Sequence, residues 1–168
     1  MVAGRVRAAL DPLRSHDNWS DSGPNSPPTA PAQTLPRYVE AMAYRYQFRP
    51  RYIDCDAQKV MHNANYLAYV DDAVDCFFRT RLGGLEDIGF DFMVKKATVE
   101  WQAPARVHDI VDCEVRVSRW GNTSFDVEVN GSIAGNPCFT AFVVNVSTTP
   151  GAPVPTPIPE TVKVALDD

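Results

Sequence analysis

Residues 52–82 read YIDCDAQKVMHNANYLAYVDDAVDCFFRTRL, and the second half of this stretch decides the fold. From Ala64 to Leu82 apolar side chains recur at Tyr66, Leu67, Val70, Ala73, Val74, Phe77 and Phe78, while Asp71, Asp72, Asp75 and Arg79 take the opposite side. That is the spacing of an amphipathic helix. Gly83 and Gly84 stop it. Asp54 and Asp56 stand directly before this helix, the only long one the periodicity predicts. Aspartate is favoured in turns and at helix starts for structural reasons alone, so taken by itself the pair marks a turn and a cap.

On either side of the helix the period falls to two. AYRYQFRPRYI, residues 43–53, predicts a strand, which Pro50 places at a sheet edge or at a bulge. DFMVKKATVEWQAP, residues 91–104, predicts the next. Then Cys113, Val115 and Val117 alternate with Asp112, Glu114 and Arg116, and Phe125, Val127 and Val129 alternate with Asp126, Glu128 and Asn130. These are half-buried strands. WGNT at 120–123 and GNP at 135–137 supply tight turns, the second leading into CFTAFVVNVST. One strand, one long helix and four antiparallel strands make an α+β domain in which a single apolar sheet face is covered by a single helix.

Composition excludes several classes. The chain has 168 residues, 45% hydrophobic, with a formal net charge of -5, a balance that suits one soluble domain rather than a nucleic-acid binder or a membrane protein. The helical stripe is too interrupted by charge to span a bilayer. Cys55, Cys76, Cys113 and Cys138 include no CxxC pair, which argues against a zinc site or a disulfide framework and for reduced thiols in a cytoplasmic protein. Residues 1–41 hold six prolines among many small polar residues and show neither period, as a disordered tail does. Met42, just before the first strand, offers an alternative start of translation. Residues 42–150 form the predicted domain. Residues 151–168, with TPGAPVPTPIPE at their head, read as a proline-rich extension lying extended along the surface.

Three blocks carry a family resemblance: DCDAQKVMHNANYLAYVDDA at 54–73, FMVKKATVEWQAPARVHDIV at 92–111 and SRWGNTSF at 118–125. The first resembles the pattern D-x-D-x-x-G-x-V-x-x-x-x-Y of hotdog-fold acyl-CoA thioesterases of the 4-hydroxybenzoyl-CoA thioesterase type, with Asp54, Asp56, Met61 and Tyr66 in register. The second includes the turn at Pro104–Arg106 and Asp109; the third resembles the family's next hairpin. Two departures stand out. Lys59 occupies the glycine position, and the hairpin that is basic in aryl-specific members offers only Arg119.

The resemblance implies a hotdog fold, an antiparallel sheet wrapped around one central helix, and a thioester hydrolase that releases a carboxylic acid and a thiol. It implies Asp56 as nucleophile or general base and the backbone N–H of Asn63 as oxyanion donor. A helix start suits that task, because its first N–H groups are unsatisfied and carry about half a positive charge. Asn63 is also the expected N-cap, and Asp54 is read as structural. His62, Tyr66, Phe92, Trp101 and Arg119 are the expected substrate-binding residues, with Lys95, Lys96 and Arg106 as further cations for the coenzyme. No metal or redox cofactor is implied, the acyl-CoA being the substrate. DFMVKKATVEW is the expected edge strand, through which a homodimer or dimer of dimers forms. The alternatives are a non-catalytic acyl-CoA-binding module and a hotdog dehydratase.

Overall fold

The computed structural model describes residues 43–84 and 88–167; the tail of 1–41, expected to be disordered, and Met42 lie outside the described residues. Strand β1 (Tyr44–Phe48) is followed by a single 3-10 turn (Tyr52–Asp54), helix α1 (Asn65–Leu82) and strand β2 (Asp91–Trp101). Strands β3 (Val111–Trp120), β4 (Ser124–Ile133), β5 (Asn136–Thr149) and β6 (Ala152–Pro155) come next, and helix α2 (Glu160–Asp167) ends the described chain. All recorded pairings are antiparallel, in the order β1-β3-β4-β5-β2, with β6 beside β5. No helix among the described residues is long and apolar enough to cross a membrane.

The sheet curls its apolar face around α1. Tyr66, Val70, Ala73, Val74, Phe77 and Phe78 are buried on the helix, opposite Val111, Cys113 and Val115 of β3, Phe125, Val127 and Val129 of β4, and Phe139, Ala141 and Val143 of β5. The period-two reading of β3 and β4 therefore predicts the buried faces correctly. Leu67, counted in the helical stripe, is 44% exposed. The helix ends where expected: Gly83 takes φ 72 and donates its N–H to the Arg79 carbonyl at 3.0 Å. The second hairpin turn lies one residue earlier than expected, on Ala134 and Gly135, both with positive φ, as a two-residue turn matched to strand twist requires.

Both edge expectations hold: β1 and β2 are the ends of the strand order. On β2 the register skips Lys95 between Val94↔Asn145 and Lys96↔Val144. This bulge keeps Phe92, Val94 and Ala97 on the inner face despite the odd spacing from Val94 to Ala97, and turns Lys96 outward.

The proline-rich extension is corrected. Residues 152–155 do run extended, as β6, but residues 160–167 form a helix that buries Val162 and Leu166 and is tied at its end by Trp120 Nε1 donating to Asp167 Oδ1 at 2.7 Å. The prolines stop at Pro159, whose carbonyl accepts the Val162 N–H at 3.1 Å, so they deliver the chain to a helix start rather than prevent one.

Gly131 on β4 is required by packing. A Cβ built there would lie 2.1 Å from the Phe139 ring, which spreads across β4 in the space a side chain would take. Gly131→Ala is expected to destabilise the protein by roughly 3 kcal/mol, the upper range for an overpacked core, measured as a lower urea midpoint at unchanged slope.

Candidate active site

Residues 55–61 form a small hairpin in front of α1, closed by the bridge Cys55↔Met61. Its turn runs from Asp56 to Lys59: the Lys59 N–H donates to the Asp56 carbonyl at 2.9 Å, and the Asp56 N–H to the Val60 carbonyl at 2.9 Å. A turn closed in this way, with a final left-handed residue, is a standard three-residue hairpin loop. Lys59 takes that left-handed place with φ 62, so the family's glycine position keeps its backbone geometry with a lysine in it.

The two aspartates take different environments. Asp54 is 4% exposed and fully engaged: its Oδ2 accepts from the Arg51 N–H at 2.7 Å, Arg51 Nε at 3.0 Å and the Tyr69 hydroxyl at 2.6 Å, and its Oδ1 from Arg51 Nη2 at 2.9 Å. The Arg51 guanidinium, foremost, holds this carboxyl well below the usual carboxylate range. Asp54 is structural, as read. Asp56 is exposed; its Oδ1 accepts the Gln58 N–H at 2.8 Å, and its Oδ2 is taken by no other group among the described residues.

Between hairpin and helix, the His62 N–H donates to the Asp54 carbonyl at 2.9 Å, and the His62 carbonyl accepts from the Asn65 N–H at 2.9 Å. The N-cap is Ala64, one residue beyond the expected Asn63. The Ala64 N–H donates to Asn63 Oδ1 at 2.9 Å and to His62 Nδ1 at 3.2 Å. Because Nδ1 is an acceptor there, the ring proton of neutral His62 sits on Nε2. The Asn63 N–H has no acceptor among the described residues.

A cavity of about 530 Å³ opens beside these groups. The hairpin and helix start contribute Asp56, Val60, Met61, His62, Asn63 and Tyr66; the end of β2 contributes Trp101, and the segment after it Gln102, Ala103 and Pro104. Tyr66 is buried with its ring edge-on to Trp101 and Phe139, at 6.1 and 5.3 Å between centroids. Its hydroxyl accepts the Ala105 N–H at 3.1 Å. Burial raises the Tyr66 hydroxyl above its ordinary value.

Of the residues expected from sequence, the structure brings Asp56, His62, Asn63, Tyr66 and Trp101 together. It separates Phe92 and Arg119 from them. Phe92 is the second residue of the strand that Trp101 ends, about 30 Å away at roughly 3.3 Å per residue, and packs on Phe78 and Phe125. It lines a second groove, between α1 and β2, with Leu67, Val74 and Val94. Arg119 forms a bidentate pair with Asp126 across β3 and β4, at 2.6 and 2.9 Å. Phe90, beside Phe92, is a core residue. Gln102 and Ala103 were absent from the expected set; both N–H groups donate to the Cys138 carbonyl, at 2.8 and 3.0 Å, a long-range tie that no local pattern announces.

The geometry agrees with the comparisons. A family model described as Thioesterase-like superfamily matches residues 50–166. The chain belongs to that superfamily. Among curated proteins, the acyl-CoA thioester hydrolase YbgC of Escherichia coli is 30% identical over 84 residues, 48% of this chain and 63% of the relative. The match thus spans less than two thirds of that relative's length. A 4-hydroxybenzoyl-CoA thioesterase mutant solved with 4-hydroxybenzoyl-CoA superposes with a TM-score of 0.68 at 15% identity, over 74% of this chain and 98% of that one. A thioesterase from Thermus thermophilus, solved with coenzyme A and zinc, gives 0.64 at 26% identity, over 73% and 90%. The architecture is the superfamily's hotdog fold, and the matched range takes in all of α2 but its last residue.

The Asp54 clamp generates a pH-dependent prediction. Its folded carboxyl titrates below the unfolded value of about 3.9, so the stabilisation is complete above that pH and fades as pH falls toward the folded value. Asp54→Asn is expected to cost about 2 kcal/mol at pH 7, the range for hydrogen bonds to a charged group. Urea midpoints of variant and wild type should converge below about pH 4.

Proposed function

We propose that the protein hydrolyses an acyl-CoA thioester to the free acid and thiol. The observation that carries this reading is that two residues lining one cavity, Asp56 and Asn63, carry a carboxylate oxygen (Oδ2) and a backbone N–H with no partner among the described residues. The thioester carbonyl oxygen would accept from Asn63 at the positive end of α1 as negative charge develops on it. Asp56 would either attack the carbonyl carbon or take a proton from a water that attacks it. On the general-base route collapse breaks the C–S bond and the thiolate takes back the proton that Asp56 drew from water; on the nucleophilic route the thiolate leaves an acyl–Asp56 anhydride, which water hydrolyses to the acid and the free carboxylate, the water's protons going to the thiolate and to solvent.

The four cysteines offer no competing nucleophile. Each thiol is raised above its ordinary value, Cys113 by burial to about 12, so each stays protonated near neutrality. None is in a disulfide, which suits a cytoplasmic location. The reaction as written needs no metal, and the pocket's one carboxylate and one imidazole fall short of a zinc ligand set. YbgC, named for acyl-CoA thioester hydrolysis, supports the substrate class. Asp56→Asn is expected to keep the fold, read by circular dichroism, and to lose thiol release by on the order of a hundredfold or more across a panel of acyl-CoAs. Turnover near wild type would overturn the assignment.

We infer further that the working unit is a homodimer at least. Strand β2 ends the strand order, and Met93, Val94 and Trp101 on it are each about half exposed, at 53%, 51% and 50%, as is Leu67 of α1 at 44%. An edge of this kind pairs readily with a second copy, while Lys95 and Lys96 oppose unlimited growth. Sedimentation at micromolar concentration is expected to give a dimer or tetramer; a fully active monomer of 18.6 kDa would refute the shared interface.

A further inference from the structure

Five of the side chains lining the cavity can accept a hydrogen bond: those of Asp56, His62, Asn63, Tyr66 and Gln102. Four are already engaged with backbone. Asp56 Oδ1 accepts the Gln58 N–H at 2.8 Å, His62 Nδ1 and Asn63 Oδ1 accept the Ala64 N–H at 3.2 and 2.9 Å, and the Tyr66 hydroxyl accepts the Ala105 N–H at 3.1 Å. Gln102 is the exception. Its carboxamide enters no hydrogen bond among the described residues, and hydrolysis as proposed leaves it no task.

The backbone beneath that side chain is pinned. The Gln102 and Ala103 N–H groups both donate to the Cys138 carbonyl, at 2.8 and 3.0 Å, and the Cys138 thiol, 0% exposed, donates back to the Ala103 carbonyl at 3.3 Å. This tie to one buried residue of β5 fixes where Gln102 starts, while its exposed side chain stays open to a ligand. Its neighbours on this wall are Trp101, Ala103 and Pro104, of which Trp101 alone bears a polar side-chain group, a donor-only indole N–H. Gln102 thus gives the wall its one side chain with both a donor and an acceptor, and sets it on rigid backbone.

We propose that Gln102 is a specificity residue that pairs with the first amide of the carrier's pantetheine arm. The inference rests on the thioesterase reading, which puts the thioester carbonyl at the Asn63 N–H. In coenzyme A only two methylenes separate the thioester sulfur from an amide nitrogen, whatever acyl group the carbonyl bears. In a cavity of about 530 Å³, an amide so close to the reacting sulfur lies against the lining rather than beyond the mouth. A carboxamide answers both halves of an amide: Oε1 accepts its N–H and Nε2 donates to its carbonyl. The Asn63 carboxamide, by contrast, has its oxygen committed to the Ala64 N–H. Pairing at Gln102 holds the sulfur, and with it the scissile carbonyl, in register with Asn63 and Asp56.

The test compares wild type, Gln102→Met and Gln102→Glu on three thioesters of one acyl group: with coenzyme A, with N-acetylcysteamine, which keeps the first amide and nothing beyond it, and with 1-butanethiol, which has no amide. Methionine keeps the length of the side chain and removes both hydrogen-bonding groups; glutamate keeps the acceptor alone. For Gln102→Met the ratio of kcat/KM on the N-acetylcysteamine thioester to that on the butyl thioester should fall about three- to tenfold below the wild-type ratio, the range for a neutral hydrogen bond. Differences in leaving ability among the thiols cancel in that comparison. The coenzyme A thioester should lose by the same factor, and Gln102→Glu should recover part of the loss. A merely structural role lowers all three rates alike and leaves the ratio at its wild-type value; that result, or no loss on any thioester, would overturn the pairing while the hydrolase reading stands. A loss confined to coenzyme A would overturn it too, by moving the contact beyond the first amide. Should wild type release no thiol from any of the three, the hydrolase reading falls alone, and calorimetry with coenzyme A decides the pairing: binding to Gln102→Met about three- to tenfold weaker at an unchanged urea midpoint keeps it, and equal binding removes it.

Discussion

Ala105 is held from two sides, and the rest of the site depends on that clasp. Its carbonyl accepts the Met61 N–H at 2.8 Å, and its own N–H donates to the Tyr66 hydroxyl at 3.1 Å. The residue is 0% exposed, so neither group can turn to water instead. The hairpin with Asp56 and the first turn of α1, neighbours in sequence, are thereby locked into one wall with the distant segment after β2. Tyr66 is in turn braced by Phe139, whose ring has room only because position 131 is glycine. The frame of the pocket thus runs back through aromatic packing into the middle of the sheet.

The same local sequence sets two carboxylates to different work. Asp54 and Asp56 are separated by one residue, yet Asp54 is enclosed by Arg51 and Tyr69 while Asp56 faces a cavity with one oxygen uncommitted. Environment rather than residue type divides the roles, as in other paired-carboxylate sites. The division is also mechanical. Asp54 offers its backbone carbonyl to His62 and to the Asn65 side chain, so the structural aspartate fixes the start of the helix beside the pocket.

Some of the site was legible in the residues and some was not. Asp56, His62, Asn63 and Tyr66 lie within one stretch that the helix and its preceding turn must bring to the same end, so their meeting follows from local structure. Trp101 joins them through β2. Phe92 and Arg119 failed for separate reasons: strand length carries Phe92 to the far end of β2, and a cross-strand carboxylate captures Arg119. Gln102, Ala103 and Ala105 carry no chemical signal of their own and enter through backbone bonds to residues far along the chain.

Sequence by itself determined what periodicity can encode: the extent of α1, the buried faces of β3 and β4, and the glycine stop at Gly83. These are properties of a few neighbouring residues and their steric limits. Tertiary structure alone decided the rest. It folded 160–167 into α2 against a surface that the prolines before it conceal, absorbed Lys95 into a bulge so that β2 keeps its inner face, and joined Met61, Tyr66 and Ala105. Each of those depends on which distant backbone group satisfies a buried donor or acceptor, and that pairing is settled only when sheet and helix close on each other.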